Sequence, residues 1–366
     1  MKKTRVIILF GGRSAEHEIS ILSARNVLAA LDRQRFEPVL IGIDRAGGWH
    51  LESERTLAAA TGSPRALALD PAAPSVGVET ALVQSSAAGG EAIDTVVFPV
   101  LHGTFGEDGT VQGLLDLADA AYVGAGVLGS AVGMDKEVAK RLLRDAGIPI
   151  VDFVLVTAGA FARDAEAALG PAARFGFPVF VKPSNAGSSV GVSKVRDRVG
   201  LAPAVRAALA YDRKVLIERA VDAREIECSV LGNDDPIASV PAEILVHHKD
   251  GFYSYDAKYV DADGASFRVP AEIPAPVIAR VQELAIQTFR ALELAGMARV
   301  DFFLERSGSA PALYVNEVNT IPGFTAMSMY PKMWEASGLP QKELLNRLID
   351  LALERRNLRR ALKTGA

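Results

Sequence analysis

The sequence has only one cysteine, Cys228, among its 366 residues. A single cysteine excludes an internal disulfide, so nothing in the composition indicates an oxidising compartment. Cys228 lies in the strand-like run IECSVLG, which favours a small buried hydrophobic side chain over a reactive thiol. We therefore assign no chemistry to this residue.

The chain also lacks an excess of either charge and lacks long apolar runs. Its 40 basic and 44 acidic residues give a formal net charge of −4, which offers no general attraction for nucleic acid. No apolar run approaches the roughly 20 residues that span a bilayer. The first residues, MKKTRVIILFGG, resemble a signal peptide only superficially, because the apolar stretch is short and meets a Gly-Gly turn. We expect a cytoplasmic protein with no nucleic-acid or membrane partner.

In the first part of the chain, strand-like runs alternate with helical patterns, as in a parallel, doubly wound sheet. Strands are predicted at 6–10, 39–43 and 95–100, with a helix at about 19–31. Residues 45–92 are rich in Ala, Gly, Pro and Ser, which indicates a variable insertion, with room for a small hairpin of its own.

The rest of the chain has a less regular order of strands and helices. A helix is predicted at 136–145, because Gly147 and Pro149 follow it as stop signals. The other predicted elements are strands at 177–182, 215–218, 225–231, 299–304 and 313–318, a helix at about 276–294 and an Arg-rich closing helix. Domain boundaries near 125 and 223 would give units at 1–125, 126–223 and 224–366.

The stretch YVNEVNTIPGF at 314–324 places polar side chains in an apolar strand. Glu317 and Asn319 stand two positions apart, so both point to the same face of the strand. A hairpin symmetric about Ser309 would set Asp301 opposite Glu317. Clustered oxygen ligands without His or Cys suit Mg²⁺. Taken alone, the pattern is explained about equally well by a salt bridge between Arg299 and one of the acids.

A glycine- and serine-rich loop follows a predicted strand in FPVFVKPSNAGSSVGV. Lys182 ends the strand, and the small residues Gly187, Ser188, Ser189 and Gly191 let backbone N–H groups approach a phosphate. The lysine precedes the glycines, so this is not a Walker A loop, and such a loop alone is more often an ordinary turn. Because Mg²⁺-type ligands occur elsewhere in the chain, binding of a nucleotide phosphate is the better explanation of this loop.

Three further charged residues lie near these segments. Lys136 begins a helix in the MDK motif, where it is either a solvated surface residue or a phosphate contact. Glu218 ends a strand in VLIERAVDAREIE, and Glu225 follows seven residues later. A carboxylate beside a nucleotide can accept both ribose hydroxyls, although exposed glutamates more often have no such role.

The ordered motifs resemble those of D-alanine–D-alanine ligases of the ATP-grasp superfamily. They span nearly the whole chain except the 45–92 insertion, and as an ordered set they are highly specific. The matching segments are GGRSAEHEIS (11–20), LHGTFGEDG (101–109), GSAVGMDK (129–136), FVKPSNAGSSVGVSK (180–194), LIERAVDAREIECSVLG (216–232), YSYDAKY (253–259), ARVDFF (298–303) and NEVNTIPGFTAMSMYP (316–331).

The resemblance implies a fold and a reaction. The fold would be α/β, an ATP-grasp fold with an N-terminal doubly wound parallel-sheet domain and two α+β domains that clamp ATP. The reaction would join two D-alanines into D-alanyl-D-alanine through a D-alanyl phosphate, releasing ADP and phosphate and supplying peptidoglycan synthesis. ATP and two Mg²⁺, with Mn²⁺ as a substitute, would be required, and a homodimer is common among relatives.

The resemblance also implies roles for individual residues. Glu16 and His102 would face the ammonium group of the first D-alanine, and Glu16, Ser188 and Tyr259 would form a hydrogen-bonded group that includes a closing loop at 251–259. Lys136, Lys182, Ser189, Glu218 and Glu225 would bind ATP. Asp301, Glu317 and Asn319 would ligate the metals. Arg299 and the N–H of Gly323 would form an oxyanion hole, and Ser328 with Lys258 would bind the carboxylate of the second D-alanine.

Two departures and three alternatives remain at this point. Members of the family often have an aromatic residue after a glutamate–lysine pair near the adenine, whereas this chain has Arg219-Ala220. Met327 stands where other members have polar residues. The alternatives are a depsipeptide ligase that joins D-alanine to D-lactate, another ATP-grasp carboxylate–amine ligase, and a non-catalytic nucleotide-binding module. Lys258-Tyr259 favours the dipeptide over the depsipeptide, and the segments GGRSAEHE and YSYDAKY argue against other substrates.

Overall fold

Three β-sheets organise the chain, and each carries part of the polar residues singled out above. A computed structural model describes residues 3–59, 69–77, 94–247, 264–306 and 311–363. Tyr259, Lys258, Ser309 and the 251–259 stretch lie outside the described residues. In the described residues, no helix is long and apolar enough to cross a bilayer.

The first sheet is largely parallel and confirms the predicted doubly wound arrangement. Its strands are β1 (Thr4–Gly11), β2 (Phe36–Ile43), β3 (Trp49–Glu52), β4 (Thr95–Pro99) and β5 (Ala121–Tyr122), in the order β3-β2-β1-β4-β5. Because β1 and β4 are parallel neighbours, the loops after them, which carry Glu16 and His102, leave the same edge of the sheet. Sequence-distant polar residues are thereby brought together.

The start of the predicted insertion belongs to this sheet rather than to a hairpin of its own. Strand β3 pairs antiparallel with β2, and a short helix α2 (Glu54–Ala59) follows it, after α1 (His17–Ala30). The apolar residues Trp49 and Leu51 continue the strand pattern that the Ala- and Pro-rich composition obscured. Residues 60–68 and 78–93 of the insertion lie outside the described residues.

The middle of the chain forms a four-stranded antiparallel sheet that carries the phosphate loop. Its order is β6-β9-β7-β8, and its helices cover one face. Helix α3 (Thr110–Leu117) precedes it and packs on the first sheet. The elements that follow are α4 (Val127–Met134), α5 (Lys136–Asp145), β6 (Phe153–Thr157), α6 (Ala158–Arg163), α7 (Ala165–Leu169), β7 (Val179–Pro183), β8 (Ser193–Val195), α8 (Arg198–Ala208) and β9 (Lys214–Arg219). The predicted helix at 136–145 is confirmed to the residue.

The third sheet holds the predicted metal ligands. Its path is β13-β12-β10-β14-β15, with β11 paired to β10. The elements are β10 (Ala223–Gly232), β11 (Ile237–Ala238), β12 (Ala242–Val246), β13 (Ala265–Arg268), α9 (Ala275–Ala291), β14 (Gly296–Glu305), β15 (Leu313–Asn319), α10 (Met329–Ala336) and α11 (Gln341–Ala361). Asp301 lies opposite Glu317, as the hairpin argument predicted.

Core packing crosses the predicted domain boundaries. Ala139 and Leu143 of α5 pack in the same apolar cluster as Phe289 and Phe302 of the third sheet's domain. The closing helix α11 packs on the first sheet, where Leu344 and other apolar residues share a core with that sheet. The boundaries near 125 and 223 therefore stay a prediction.

Candidate active site

Two cavities meet at the junction of the three sheets. The larger, about 780 Å³, is lined by Glu16, His102 and Ser328 among others. The smaller, about 520 Å³, is lined by Lys182, Ser189, Glu218, Glu225 and Asp301 among others. Both are lined by Lys136, Ala186, Glu227, Arg299 and Glu317. Two different ligands could therefore be held on either side of one charged wall.

Two rows of polar side chains cross three neighbouring strands at this wall. Strand pairing aligns Glu227 of β10 with Asp301 of β14 and Glu317 of β15. The next same-face row aligns Arg299 with Asn319. Residues that stand directly opposite or two apart share a face of a sheet, so this cluster follows from register alone.

A β-bulge interrupts the third sheet beside the cluster. The register changes between Asp301 and Phe302, so that Phe302 pairs with Val315 and Asn316 is the extra residue. Asn316 accepts a hydrogen bond from Lys182 of the second sheet through Oδ1 at 3.2 Å. The predicted hairpin thus holds for Asp301 and Glu317 but not for the residues nearer the turn, because a bulge adds one residue to one strand.

Arg299 is held by two carboxylates. Its Nε and Nη2 donate to both oxygens of Asp301 at 2.7 and 2.8 Å, and Nε lies 3.1 Å from Glu227 Oε1. Burial opposes its charge, but Asp301 and Glu227 raise its pKa well above the usual value. The salt-bridge interpretation of the sequence pattern is therefore confirmed, with Asp301 as the acid and Glu227 as a partner that the sequence did not reveal.

The oxygen donors beside this pair have the chemistry of a magnesium site. Among the described residues, no group of three or more His, Cys, Asp and Glu side chains has metal-binding geometry. Asp301 and Glu317 supply two carboxylates on one face, however, and the buried Asn319 Oδ1 has no hydrogen-bond partner among the described residues. A buried amide oxygen without a partner is costly and suits a hard cation. The residues present therefore fit Mg²⁺.

The two predicted phosphate lysines, Lys136 and Lys182, both line the smaller cavity. Lys182 Nζ lies 2.7 Å from Glu218 Oε2. Lys136 Nζ donates to the backbone oxygen of Ala186 at 2.7 Å and lies 3.3 Å from Glu317 Oε2. Both ammonium groups thus face a carboxylate and the cavity at once, as groups that neutralise phosphate oxygens would.

The Gly/Ser loop has a specialised backbone. Ser188 and Ser189 have φ values of 49° and 59°, which few residues other than glycine adopt. Asp135 anchors the start of the loop, because it accepts hydrogen bonds from Ser184 Oγ at 2.6 Å and from Asn185 Nδ2 at 3.1 Å. Although burial raises the pKa of Asp135, hydrogen bonds from Lys214 and these residues lower it to about 2. The loop is therefore fixed to the start of α5.

Glu16 connects the first sheet to this loop. Its carboxylate accepts a hydrogen bond from Ser188 Oγ. A Cβ atom at Gly103 or at Gly187 would lie 2.8 Å from Glu16 Oε2, so the carboxylate fits between two glycines. Two of the three members of the predicted hydrogen-bonded group are thus in contact, and the third, Tyr259, is outside the described residues.

His102 is buried under the larger cavity. Its Nδ1 is 3.0 Å from the backbone oxygen of Ile321, and its Nε2 is 3.3 Å from Ser23 Oγ. Burial lowers the pKa of His102, and Glu16 only partly offsets this. A neutral ring that is fixed on both nitrogens can orient a neighbouring group without adding charge.

Glu107 is a buried acid that the sequence did not single out. It accepts hydrogen bonds from the N–H groups of Gly103 at 2.6 Å and of Ile321 at 3.1 Å. Burial, with a contribution from Glu16, raises its pKa to about 8. Its place in the GEDG turn looks like an ordinary loop acid, so only its packing distinguishes it.

Gly323 and Ser328 lie beside each other in the lining of the larger cavity. A Cβ at Gly323 would lie 2.7 Å from Ser328 Oγ. Ser328 Oγ in turn accepts a hydrogen bond from the backbone N–H of Thr325 at 2.9 Å. The turn after β15 therefore brings its backbone and a hydroxyl to the cavity that Arg299 also lines. Lys258, the predicted partner of Ser328, is outside the described residues.

Two family models match most of the chain. The D-ala D-ala ligase N-terminus matches residues 5–125, and the D-ala D-ala ligase C-terminus matches residues 142–350. The chain is 48% identical to D-alanine–D-alanine ligase A of Salmonella typhimurium over 369 residues, with all of both chains covered. It is 46% identical to D-alanine–D-alanine ligase A of Escherichia coli K12 over 371 residues, again covering both completely.

Solved structures show the same likeness. The D-alanine–D-alanine ligase from Coxiella burnetii superimposes with a TM-score of 0.82 at 37% identity, covering 98% of this chain and 97% of that one. The VanG D-Ala:D-Ser ligase from Enterococcus faecalis gives a TM-score of 0.80 at 35% identity, covering 96% and 100%. These matches confirm the ATP-grasp fold that the sequence motifs indicated. The chain belongs to the D-alanine–D-alanine ligase family.

Proposed function

We propose that this protein uses ATP to join two D-alanines into D-alanyl-D-alanine, with D-alanyl phosphate as the intermediate and ADP and phosphate as products. The observation that carries the proposal is the shared wall of the two cavities, where Lys136, Arg299 and Glu317 face both spaces. An acyl phosphate must form from a nucleotide on one side and a carboxylate on the other. A charged wall between two cavities suits that transfer.

The smaller cavity would hold the nucleotide. Lys136, Lys182 and the backbone N–H groups around Ser189 would contact the phosphates, while Glu225 would accept the ribose hydroxyls. Glu218 lines the same cavity at the end of β9, where the backbone would reach the adenine. These groups would align the phosphoryl group by charge and position, which supplies most catalysis in this type of transfer.

Asp301, Glu317 and Asn319 would hold Mg²⁺, with Mn²⁺ as a substitute. When bound, the metal would neutralise charge between phosphate oxygens. Its arrival would compete with Arg299 for Asp301 and with Lys136 for Glu317, since both acids are paired with these cations in the structure. We propose two such ions, shared among the three ligands.

The larger cavity would hold the amino acids. Glu16, fixed by Ser188, would accept a hydrogen bond from the ammonium group of the first D-alanine, beside His102. Ser328, with Lys258, would bind the carboxylate of the second. Arg299 and the N–H of Gly323 would then donate to the oxygen that becomes negative when the second amine attacks the acyl carbon. Tyr259 would close over this space with its loop and exclude water, because acyl phosphates hydrolyse.

The identity of the second substrate is the point at which relatives differ. A structural neighbour of this chain is a D-Ala:D-Ser ligase, and the sequence alternatives include a ligase for D-lactate. We favour D-alanine, because the D-alanine–D-alanine ligases of Salmonella typhimurium and Escherichia coli are 48% and 46% identical to this chain, whereas the D-Ala:D-Ser ligase is 35% identical. We also propose a cytoplasmic homodimer that supplies peptidoglycan synthesis.

The decisive assay is phosphate release from ATP and Mg²⁺ in the presence of D-alanine, with L-alanine as control. We expect release only with the D-enantiomer and a product with the mass of the dipeptide. Parallel reactions with D-serine and D-lactate as second substrates, across pH, identify the acceptor. Preferential use of D-lactate at neutral pH, or release that is indifferent to stereochemistry, would contradict the proposal.

A further inference from the structure

A second buried lysine stands behind the nucleotide cavity. Lys140 lies one helical turn after Lys136 on α5, and its side chain is only 1% exposed. Its Nζ lies 3.1 Å from Glu218 Oε1, while Lys182 Nζ lies 2.7 Å from Glu218 Oε2. One carboxylate is therefore shared by two lysines, each on its own oxygen.

The three residues differ in what they face. Lys182 and Glu218 line the smaller cavity, whereas Lys140 is not among the residues that line either cavity. Lys140 thus lies behind Glu218 as seen from the nucleotide space. Lys140 is therefore not placed to contact a bound nucleotide directly, and its ion-pair partner among the described residues is Glu218.

Packing alone does not account for a lysine at this position. Burying an ammonium group is unfavourable unless a partner compensates its charge, and an apolar side chain of similar length would avoid that cost. Glu218 already has a partner in Lys182 at 2.7 Å. The second lysine therefore adds a charge that the Glu218–Lys182 pair does not need for its own neutrality.

The charge balance indicates what the second lysine does. Glu218 and Lys182 together are neutral, so a phosphate beside them would meet a lysine whose charge is already matched. Burial lowers the pKa of Lys140 to about 8, so the residue is mostly protonated at neutral pH and the three groups then carry close to one net positive charge. Lys140 is paired with Oε1 of Glu218, whereas Lys182 is paired with Oε2. The negative charge that Lys140 compensates is charge that does not compete with phosphate for Lys182.

We propose that Lys140 is a positioning residue that occupies one oxygen of Glu218, so that Lys182 keeps a positive charge for the phosphates of ATP. The inference rests on the proposed function, because it assumes that the smaller cavity binds a nucleotide. Burial raises the pKa of Glu218, but Lys140 and Lys182 together lower it below its usual value, so the shared carboxylate is ionised.

A double-mutant cycle tests the proposal through nucleotide binding. The four proteins are the wild type, Lys140→Met, Glu218→Gln and the double variant, and the readout is the dissociation constant of a non-hydrolysable ATP analogue by calorimetry. We expect Lys140→Met to weaken binding by roughly tenfold or more, since Glu218 then neutralises Lys182. Glu218→Gln in that background should restore most of the loss, because it removes the competing charge.

Steady-state kinetics provide the second readout. Lys140→Met should raise KM for ATP while leaving KM for D-alanine nearly unchanged, and Lys140→Arg should retain more ATP affinity than Lys140→Met. The matched control is Arg141→Met on the next position of α5, whose side chain is 62% exposed and pairs with Glu137. Lys140→Gln, which keeps a polar end without the charge, repeats the cycle if the methionine variant unfolds.

The outcomes separate this inference from the proposed function. Unchanged analogue binding in folded Lys140→Met and Lys140→Gln, or losses that merely add up in the double variant, would overturn the role of Lys140. A wild-type protein that binds the analogue but releases no phosphate with D-alanine would instead contradict the proposed reaction, while the binding cycle still reports on Lys140.

Discussion

The carboxylate of Glu16 accepts a hydrogen bond from the hydroxyl of Ser188, 172 positions away in the chain. Glu16 follows a strand of the parallel sheet, and Ser188 belongs to the phosphate loop of the second sheet. The bond therefore joins the wall that would bind the first amino acid to the loop that would bind nucleotide. Each half of the site depends on the other for its geometry.

Substitution of Gly187 by alanine should displace Glu16 without unfolding the protein. The added Cβ would lie 2.8 Å from Glu16 Oε2, and the end of a flexible side chain can move away at little cost. Gly187 does not have a positive φ, so alanine fits its backbone. We expect kcat/KM for D-alanine to fall roughly tenfold, which is about 1.4 kcal/mol, with the melting temperature nearly unchanged.

The matched control for this substitution is Gly170→Ala. Nothing lies within 4 Å of a Cβ at Gly170, and the residue has helical φ and ψ values. Its kinetics should equal those of the wild type. A Gly187→Ala enzyme with unaltered kcat/KM for D-alanine would show that the position of Glu16 does not limit the reaction.

Replacement of Arg299 by methionine should remove most of the turnover. The guanidinium is fixed by Asp301 and Glu227, so it is preorganised toward the cavities. Loss of one oxyanion donor typically lowers kcat by about 10²–10³, or roughly 2.7–4 kcal/mol. The measurement is kcat for phosphate release at saturating substrates, with Arg280→Met, an exposed arginine paired to Glu283 and away from both cavities, as control. Near-normal turnover in Arg299→Met would refute the oxyanion role.

Removal of the Asn319 side-chain amide, whose oxygen has no hydrogen-bond partner in the described part of the chain, should weaken metal binding. Its Oδ1 is buried without a hydrogen-bond partner, so alanine loses no contact of that oxygen within the described protein. We expect the Mg²⁺ concentration for half-maximal activity to rise several-fold. Loss of the oxygen should not lower the free energy of unfolding measured without metal, because no hydrogen bond to it is lost. Titration of bound Mn²⁺ by electron paramagnetic resonance checks affinity independently of activity.

The exposed Asn357→Ala substitution serves as the control for the metal experiment. It should leave both the Mn²⁺ affinity and the activity unchanged. Equal Mn²⁺ affinity in Asn319→Ala and the wild type would exclude Asn319 as a ligand. Addition of a chelator to the wild type should abolish D-alanine-dependent phosphate release and be reversed by excess Mg²⁺.

Substitution of Glu107 by glutamine should change how stability depends on pH. Burial raises the pKa of Glu107 from 4.5 to about 8, so between these values the folded protein binds more protons than the unfolded chain. The free energy of unfolding therefore falls as pH rises through this window, by at most about 1.4 kcal/mol per pH unit from this group. Glutamine does not ionise, so the variant should show a smaller decline.

Urea unfolding at several pH values between about 5 and 8 measures this slope. The variant should be less stable at low pH, because its amide can accept from only one of the N–H groups of Gly103 and Ile321. The exposed Glu37→Gln substitution should retain the wild-type slope. Identical slopes in Glu107→Gln and the wild type would show that Glu107 does not control this dependence.

Local patterns in the sequence predicted much of the third sheet and its polar residues. Glu317 and Asn319 have the spacing of residues on one face of a strand. Together with the predicted turn between β14 and β15, this spacing was enough to place Asp301 opposite Glu317. The bulge at Asn316 was not predicted, because no glycine or proline marks it. Likewise, the strand Trp49–Glu52 was hidden by the composition that surrounds it.

The partners of the buried charges could not be read from local patterns. Glu227 beside Arg299 and Lys140 beside Glu218 look like ordinary residues of a strand and a helix. Glu107 looks like a loop acid, and its raised pKa arises from packing. Each of these properties depends on segments that approach from other parts of the chain.

The sequence by itself determined the types of chemistry available, since the order and spacing of its motifs specify the loop, the lysines and the oxygen ligands. The tertiary structure decided which charges meet. Strand periodicity and turn residues act over a few positions, so they are legible in the chain. The pairing of Lys140 and Lys182 on one carboxylate depends on sheet order, register and helix packing, and a buried charge takes its pKa and its orientation from those distant neighbours.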